Sequence, residues 1–294
     1  MYPQLIQDFL AAEALPDSYR QDAETWFQPY IAELDSAVAQ AAGCLLLGIN
    51  GAQGTGKSTL SKLITALLSA QGRRVANLSI DDFYLGKRAR QALAESRHPL
   101  LATRGVPGTH DSARLRTTLQ QLRTAAAGDV IILPKFDKAS DDSCPPQDFA
   151  RLEGPIDLII LEGWFVGVQP QPAAALATAV NALEAEEDAD GSWRGFVNQA
   201  LAADYVPIFQ TLDRLLMLQA PSFEQVYAWR GLQEEKLRAS NGQGAGVMSP
   251  AQLQRFIQHY ERLSRHCLQS LPQSANTRFL LDADHRVVSR HDNP

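Results

Sequence analysis

The sequence predicts an α/β fold of three layers, with a mostly parallel central sheet covered by helices on both faces. Two observations carry that expectation. Short apolar strands alternate with amphipathic helices along most of the chain. One of those strands, Cys44 to Ile49, runs into a glycine-rich turn that opens a helix, and Gly51, Gly56, Lys57 and Ser58 there fit G-x-x-x-x-G-K-[ST], the Walker A pattern. With that motif the fold class narrows to the P-loop NTPase type. The expected organisation is a helical extension over residues 1–40, packed on a single P-loop domain over 41–294 that carries lid segments.

Taken in order, residues 1–40 read as helical, with Trp26, Phe27, Tyr30, Ile31, Leu34 and Val38 on one apolar stripe that suits packing on the sheet. After the turn, Leu60, Leu63, Ile64, Leu67 and Leu68 mark a helix over 57–71, with Gly72 where a C-cap belongs. Val75 to Ile80 reads as a second strand that runs straight into Asp81-Asp82-Phe83-Tyr84. Residues 85–110 show no clean periodicity and read as a long, partly ordered functional segment. A helix from about Ser112 to Ala127 and a strand from Val130 to Leu133 follow, then a polar loop from Pro134 to Leu152. Ile156 to Leu161 is a buried strand ended by Glu162-Gly163. Pro170 to Asp190, with Glu184, Glu186, Glu187, Asp188 and Asp190, reads as a solvated excursion without a function. A short helical stretch over 193–209, a strand over 215–218 and a helix over 223–238 come next. The glycines of 240–249 predict mobility. Leu253, Phe256, Ile257, Tyr260, Leu263 and Cys267 line one face of a long helix, and residues 278–281 suit a last strand.

Composition excludes several classes. The net charge of −6 disfavours broad binding to nucleic acid or an anionic membrane. No apolar run approaches the length of a membrane span. Met1 to Glu13 lacks the basic start and apolar core of a secretory signal. Cys44, Cys144 and Cys267 give neither a disulfide framework nor a zinc pattern. The expectation is a cytoplasmic protein without nucleic-acid or membrane partners; its oligomeric state is open.

In parallel sheets ligands bind beyond the carboxyl ends of the strands, and the polar motifs fall there. Backbone N–H groups of Gly51, Ala52, Gln53, Gly54, Thr55, Gly56, Lys57, Ser58 and Thr59 are expected to cradle the phosphates of ATP, backed by the helix N-terminus. Lys57 would reach the β- and γ-phosphates and Ser58 would ligate Mg²⁺. Glu162, at the end of an apolar strand, would hold Mg²⁺ or its waters, with Asp82 in the metal shell or near the substrate. Asp81 would face the γ-phosphate and take the proton of an acceptor hydroxyl, the work of a general base, with Tyr84 on the same acceptor side. Asp81 or Asp82 could instead cap the next segment. The Arg104–Asp111 loop offers Arg104 and His110 to an anionic substrate, since the fork of Arg binds both oxygens of a carboxylate. Asp111 could belong to that contact or be an N-cap. His110 has no second His at metal-ligand spacing. Lys135, Asp137 and Lys138 on one loop, or Arg230 on a late helix, could stabilise charge on a transferring phosphoryl group.

Gly51 to Ser58, Ser79 to Tyr84, Arg104 to Asp111, Leu133 to Lys138, Leu161 to Trp164 and Trp229-Arg230 together resemble the D-glycerate 3-kinase family, a branch of the phosphoribulokinase/uridine kinase-like P-loop kinases. The resemblance spans roughly Gly48 to Tyr260, and the motifs come in the same order. It implies ATP-dependent phosphorylation of D-glycerate to 3-phosphoglycerate. It also implies Asp81 as base, Glu162 as a Mg²⁺ residue and, less securely, Arg230 as a phosphate contact. Two other readings stay open: a kinase for another small hydroxyl substrate such as pantothenate or a nucleoside, and an ATP-binding switch without a small acceptor.

Overall fold

The computed structural model describes residues 2–241 and 249–293, without the side chains of 233–241 and 250. Helices α1 (Tyr2–Ala12), α2 (Asp17–Asp22) and α3 (Gln28–Gln40), with a π-helical stretch at Ala23–Phe27, form an N-terminal layer. Its apolar stripe is the face that packs. Phe27, Tyr30, Ile31, Leu34 and Val38 are buried, and Trp26 lies against the same cluster. Phe27 and Tyr30 meet the ring of Phe279 edge-on, with centroids 5.3 and 5.8 Å apart.

Strand β1 (Leu45–Gly51) leads into helix α4 (Lys57–Ser69), whose Leu60, Leu63, Ile64, Leu67 and Leu68 are all buried. Strand β2 (Val75–Ser79) ends in a 3₁₀ turn at Ile80–Phe83. Helices α5 (Lys87–Ser96) and α6 (Ser112–Thr124) precede the short strands β3 (Val130–Leu133), β4 (Phe136–Asp137), β5 (Asp142–Ser143) and β6 (Ala150–Glu153). Strand β7 (Leu158–Gly163) returns to the centre. Helices α7 (Ala182–Glu187), α8 (Ser192–Ala200) and α9 (Val206–Phe209) lead to strand β8 (Arg214–Gln219). Helices α10 (Phe223–Asn241) and α11 (Pro250–Ser270) and strands β9 (Thr277–Leu281) and β10 (Val287–Asp292) complete the described chain.

The central sheet runs β10-β9-β8-β1-β7-β2, parallel except for β10. Its strands obey the period of two. Leu45, Leu47 and Ile49 of β1, with Leu158 and Ile160 of β7, enter the core shared with α1, α3 and α4. Leu46, Ile159 and Leu161 enter the opposite core, shared with α6, residues 201–209 and α11. A sheet buried on both faces needs such continuous apolar runs, and this is why these strands are readable in the sequence. Among the described residues no helix is long and apolar enough to cross a membrane.

Four expectations need correction. Residues 85–110 are ordered and contain α5, and the one buried residue of that helix is Arg90. A helix that docks through a guanidinium carries no apolar stripe to read. β3 is not in the central sheet but pairs antiparallel with β6, inside the segment expected to be loop, and β6 is largely exposed. β10 extends the sheet where no strand was expected. The acidic excursion is only partly solvated, because Glu184 and Asp188 are 0% and 1% exposed. Glu184 accepts from Arg262 Nε and Nη2 at 2.7 and 2.6 Å, and Asp188 accepts from Arg194 Nη1 at 2.8 Å. Of the segment expected to be mobile, residues 242–248 lie outside the described residues.

The Arg262–Glu184 pair ties α11 to α7 with both groups out of water. Arg262→Met would strand the Glu184 charge and should lower unfolding free energy by about 3–5 kcal/mol. Urea denaturation measures this, and a loss near zero would show the pair to be idle.

Candidate active site

The phosphate loop takes its shape from two left-handed glycines, Gly54 (φ +86°) and Gly56 (φ +84°), the latter at the N-cap of α4. Thr55 closes the turn, since its amide and hydroxyl both donate to the Ala52 carbonyl, at 3.3 and 2.8 Å. The outer side of the loop rests on Trp229 of α10. A Cβ on Gly54 would lie 2.9 Å from the Trp229 Cβ. Trp229 is fully buried, donates through Nε1 to the Ala283 carbonyl (2.8 Å) and stacks on His285 at 4.1 Å. The same turn carries Arg286, whose Nε and Nη2 donate to Asp22 of α2 at 3.0 and 3.1 Å.

Beneath the loop, parallel pairing sets Ile49 of β1 beside Glu162 of β7. That register brings the Glu162 carboxylate to the start of α4, where the Ser58 hydroxyl donates to Oε1 at 2.8 Å and Lys57 Nζ stands 3.9 Å from Oε2. Glu162 is 4% exposed, and its Oε2 is buried without a hydrogen-bond partner. A buried carboxylate oxygen left open next to a serine hydroxyl fits a magnesium ion bound through one carboxylate, with phosphate and water as the remaining ligands. No group of three or more His, Cys, Asp or Glu placed to hold a metal ion exists among the described residues.

Asp81 sits in the 3₁₀ turn after β2. Tyr84 Oη donates to its Oδ1 at 2.9 Å and Lys138 Nζ to its Oδ2 at 2.6 Å. Burial pushes its carboxyl up, but Lys138 and Lys57 more than offset this and hold it below the ordinary carboxylate range. Asp82 points elsewhere. It accepts from the Phe136 amide at 3.3 Å, and burial raises its carboxyl. It therefore anchors the β4–β5 hairpin and is not among the residues that line the cavity.

That hairpin brings Lys138 to the site, not Lys135. Phe136 is buried, and its neighbour Lys135 is exposed and off the cavity. Arg90, fully buried, binds the Asp141 carboxylate together with Arg104, and both guanidinium groups lie over the Phe136 ring, at 5.8 and 5.7 Å from its centroid.

The Arg104–Asp111 loop divides. Arg104 lines the cavity. Its carbonyl accepts from Tyr260 Oη (3.0 Å), and the Gly105 carbonyl accepts from Trp164 Nε1 (3.1 Å). Gly105 holds φ +136°, and a Cβ there would fall 2.2 Å from the Tyr260 hydroxyl. His110 does not line the cavity. It is 4% exposed, stacks under Tyr84 at 4.4 Å, and its Nδ1 meets the Tyr205 hydroxyl at 2.9 Å. That hydroxyl also accepts from the Gly108 amide at 3.0 Å, and His110 Nε2 is buried without a hydrogen-bond partner. Asp111 is the N-cap of α6, accepting from the Arg114 amide at 2.9 Å.

The resulting cavity, of about 530 Å³, joins the two halves. Gln53, Gly54, Gly56, Lys57, Ser58 and Thr59 form one wall, and Asp81, Tyr84, Arg104 and Lys138 the facing one. Arg230, Trp164, Phe256 and Tyr260 complete it. Gly51, Ala52 and Thr55 shape the loop from behind, since a Gly51 Cβ would meet Thr55 Oγ1 at 2.5 Å. The three aromatics Trp164, Phe256 and Tyr260 escaped sequence reasoning. Phe256 and Tyr260 keep the helical spacing of core residues, and Trp164 directly follows the Glu162-Gly163 pair, the one signal that could have found it.

No protein-family model matches the sequence. Over 222 residues, 73% of this chain and 78% of the relative, it is 33% identical to an uncharacterised kinase, mug58, of Schizosaccharomyces pombe. It is 29% identical over 224 residues to a chloroplastic D-glycerate 3-kinase of Arabidopsis thaliana, matching 74% of this chain but only 46% of the plant protein. A solved D-glycerate 3-kinase from Cryptococcus neoformans superposes with a TM-score of 0.76 at 26% identity, over 92% of this chain and 99% of that one. These likenesses, on a phosphate loop that faces a carboxylate across a cavity, define an ATP-dependent kinase of the P-loop class. Within that class the chain belongs to the D-glycerate 3-kinase family.

Burial holds His110 down to about 3, against an ordinary value of 6.5. The unfolded chain takes up this proton first as pH falls. Stability tied to neutral His110 is therefore complete above about pH 6.5 and is lost toward pH 3, by about 1.4 kcal/mol per unit. Denaturation between pH 7 and 4 should show a shallower acid slope in His110→Gln than in the wild type, and equal slopes would contradict the buried neutral ring.

Proposed function

We propose that this kinase transfers the γ-phosphoryl group of Mg-ATP to a hydroxyl of D-glycerate, forming 3-phosphoglycerate, with Asp81 as general base. The observation that supports this best is the Asp81 carboxylate, ionised and facing the phosphate loop across a cavity whose acceptor side also carries Arg104 and Lys138. A base without nearby cations would suit any alcohol. Two cations beside it suit an acceptor that is itself an anion.

In this reading the first-turn amides of α4 and Lys57 hold the β- and γ-phosphates, and Arg230 reaches them from the lid side. Ser58 and Glu162 would hold Mg²⁺, which when bound neutralises charge on the phosphate oxygens. Arg104 takes the acceptor's carboxylate. Asp81 takes the proton as the hydroxyl O–H bond breaks. The hydroxyl oxygen forms its bond to the γ-phosphorus while the bond to the β,γ-bridging oxygen breaks, and that electron pair leaves with ADP.

One observation favours a second reading, a nucleoside acceptor: Tyr84, Trp164, Phe256 and Tyr260 give the cavity aromatic walls. Three of the four are already engaged through their polar atoms, pinning Asp81, Gly105 and Arg104, so their rings serve the site's framework. A coupled ADP-release assay over D-glycerate, other hydroxy acids, pantothenate and nucleosides separates the readings. Turnover confined to a nucleoside would displace the hydroxy acid, and no acceptor-dependent turnover would leave an ATP-binding switch.

Asp81→Asn should retain ATP binding and lose kcat by roughly two to four orders of magnitude, the span of general base catalysis. A near-wild-type kcat would remove Asp81 from the chemistry. Lys57→Ala should weaken both ATP affinity and turnover, and unchanged kinetics there would contradict the phosphate-loop assignment.

A further inference from the structure

Lys138 has a position that phosphate handling does not explain. Its backbone is fixed. The carbonyl of Lys138 accepts from Arg104 Nη2 at 3.3 Å, and three residues on, Asp141 is gripped by the buried Arg90 and by Arg104. Asp137, just before it, accepts from the amides of Ala139 and Ser140 at 2.9 and 3.1 Å and closes the hairpin tip. The side chain is the opposite. It is 60% exposed, and among the described residues its anchor is the hydrogen bond from the ammonium to Asp81 Oδ2 at 2.6 Å. A long flexible stem thus ends in a strongly hydrated point charge that can exchange one anion for another at little cost.

That charge sits on the group that, in the reading above, must accept the acceptor's proton. Tyr84 holds the other oxygen, so both Asp81 oxygens are engaged. A carboxylate paired with an ammonium has a reduced affinity for a proton. Each oxygen keeps a second lone pair, so the hydroxyl can still reach Oδ2, but the base it meets stays weakened until Lys138 moves toward another anion. An acceptor with a carboxylate next to its hydroxyls offers one within the reach of the stem. An uncharged polyol offers none.

We propose that Lys138 makes the acid group of the acceptor a requirement for full turnover: its ammonium pairs with Asp81 until the acceptor's carboxylate draws it off, which restores the proton affinity of the base as the substrate binds. This rests on the hydroxy-acid reading above. It adds that discrimination against neutral alcohols arises in kcat as well as in binding, because a neutral acceptor can occupy the cavity and still face a base weakened by the ammonium.

The test compares D-glycerate with glycerol, its uncharged counterpart, in the full-length wild type, in Lys138→Met and in Lys138→Arg. The readouts are kcat and KM for each acceptor. Truncating the exposed stem removes no core packing, and thermal melting of each variant checks folding. In Lys138→Met, KM for D-glycerate should rise by about tenfold to a hundredfold, the worth of a charge-assisted hydrogen bond. In the same variant kcat with glycerol should rise by several fold over the wild type, so that the preference for the acid collapses from both sides. Lys138→Arg should restore most of that preference. If the wild type turns over D-glycerate but Lys138→Met loses kcat equally with both acceptors, Lys138 serves the transferring phosphoryl group and the proposal is wrong while the hydroxy-acid reading stands. If the wild type does not turn over D-glycerate or any other hydroxy acid, both fall together.

Discussion

Glu162 places a carboxylate at the end of a strand whose other side chains are aliphatic, and the rest of the site is arranged around it. A buried carboxylate is costly unless hydrogen bonds or opposite charge meet it. Here Ser58 meets one oxygen, and Lys57 stands near the other. Both partners come from the first turn of α4, so the strand pairing of β1 with β7 and the phosphate loop depend on each other. Sliding the register by one residue would turn Glu162 into an apolar core and leave the loop without its counterpart. The left-handed glycines, the closing bonds of Thr55 and the wedge of Trp229 all serve to keep the loop over that one group.

The facing wall is held together differently. It has no strand of the central sheet beneath Lys138. Instead a buried arginine on α5 grips an aspartate in a hairpin turn, and a second arginine, on the cavity wall, shares that aspartate. Aromatic rings fill the space between, with Phe136, Tyr84 and His110 packed in succession. Tyr84 commits its hydroxyl to the Asp81 carboxylate, and burial keeps the His110 imidazole neutral. The phosphate-loop side is thus built from backbone geometry, and the facing wall from side-chain ion pairs and stacking.

That difference explains what the sequence made legible. The strands of the central sheet and the α4 face follow from apolar periodicity, and the phosphate loop from glycines at positions only glycine tolerates. Asp81, Glu162 and Arg104 follow from their places just after strands or in a glycine-shaped loop. The acceptor wall was harder to read, because its supports break the usual patterns. α5 docks through Arg90, β6 is solvent-exposed, and Glu184 and Asp188 look like surface charge until Arg262 and Arg194 are seen to cover them. Asp82, His110, Asp111 and Lys135 were reasonable candidates by residue type. They lie off the cavity because each is taken up by a neighbour or by solvent: a hairpin amide, a tyrosine hydroxyl, a helix start and water.

The contact of Trp229 with Gly54 has a temporal side. The indole is itself held by the Ala283 carbonyl and the ring of His285, in the turn between β9 and β10. The phosphate loop is encoded near residue 55, yet the indole behind it comes about 175 positions later, and the groups that hold that indole more than 225 positions later. During synthesis the early strand, loop and helix leave the ribosome long before that support exists. The loop can form with its strand and helix, but the indole behind it gains its own anchors only once the turn at 283–286 has emerged and docked. In this kinase the first-made part of the active site is among the last to be finished.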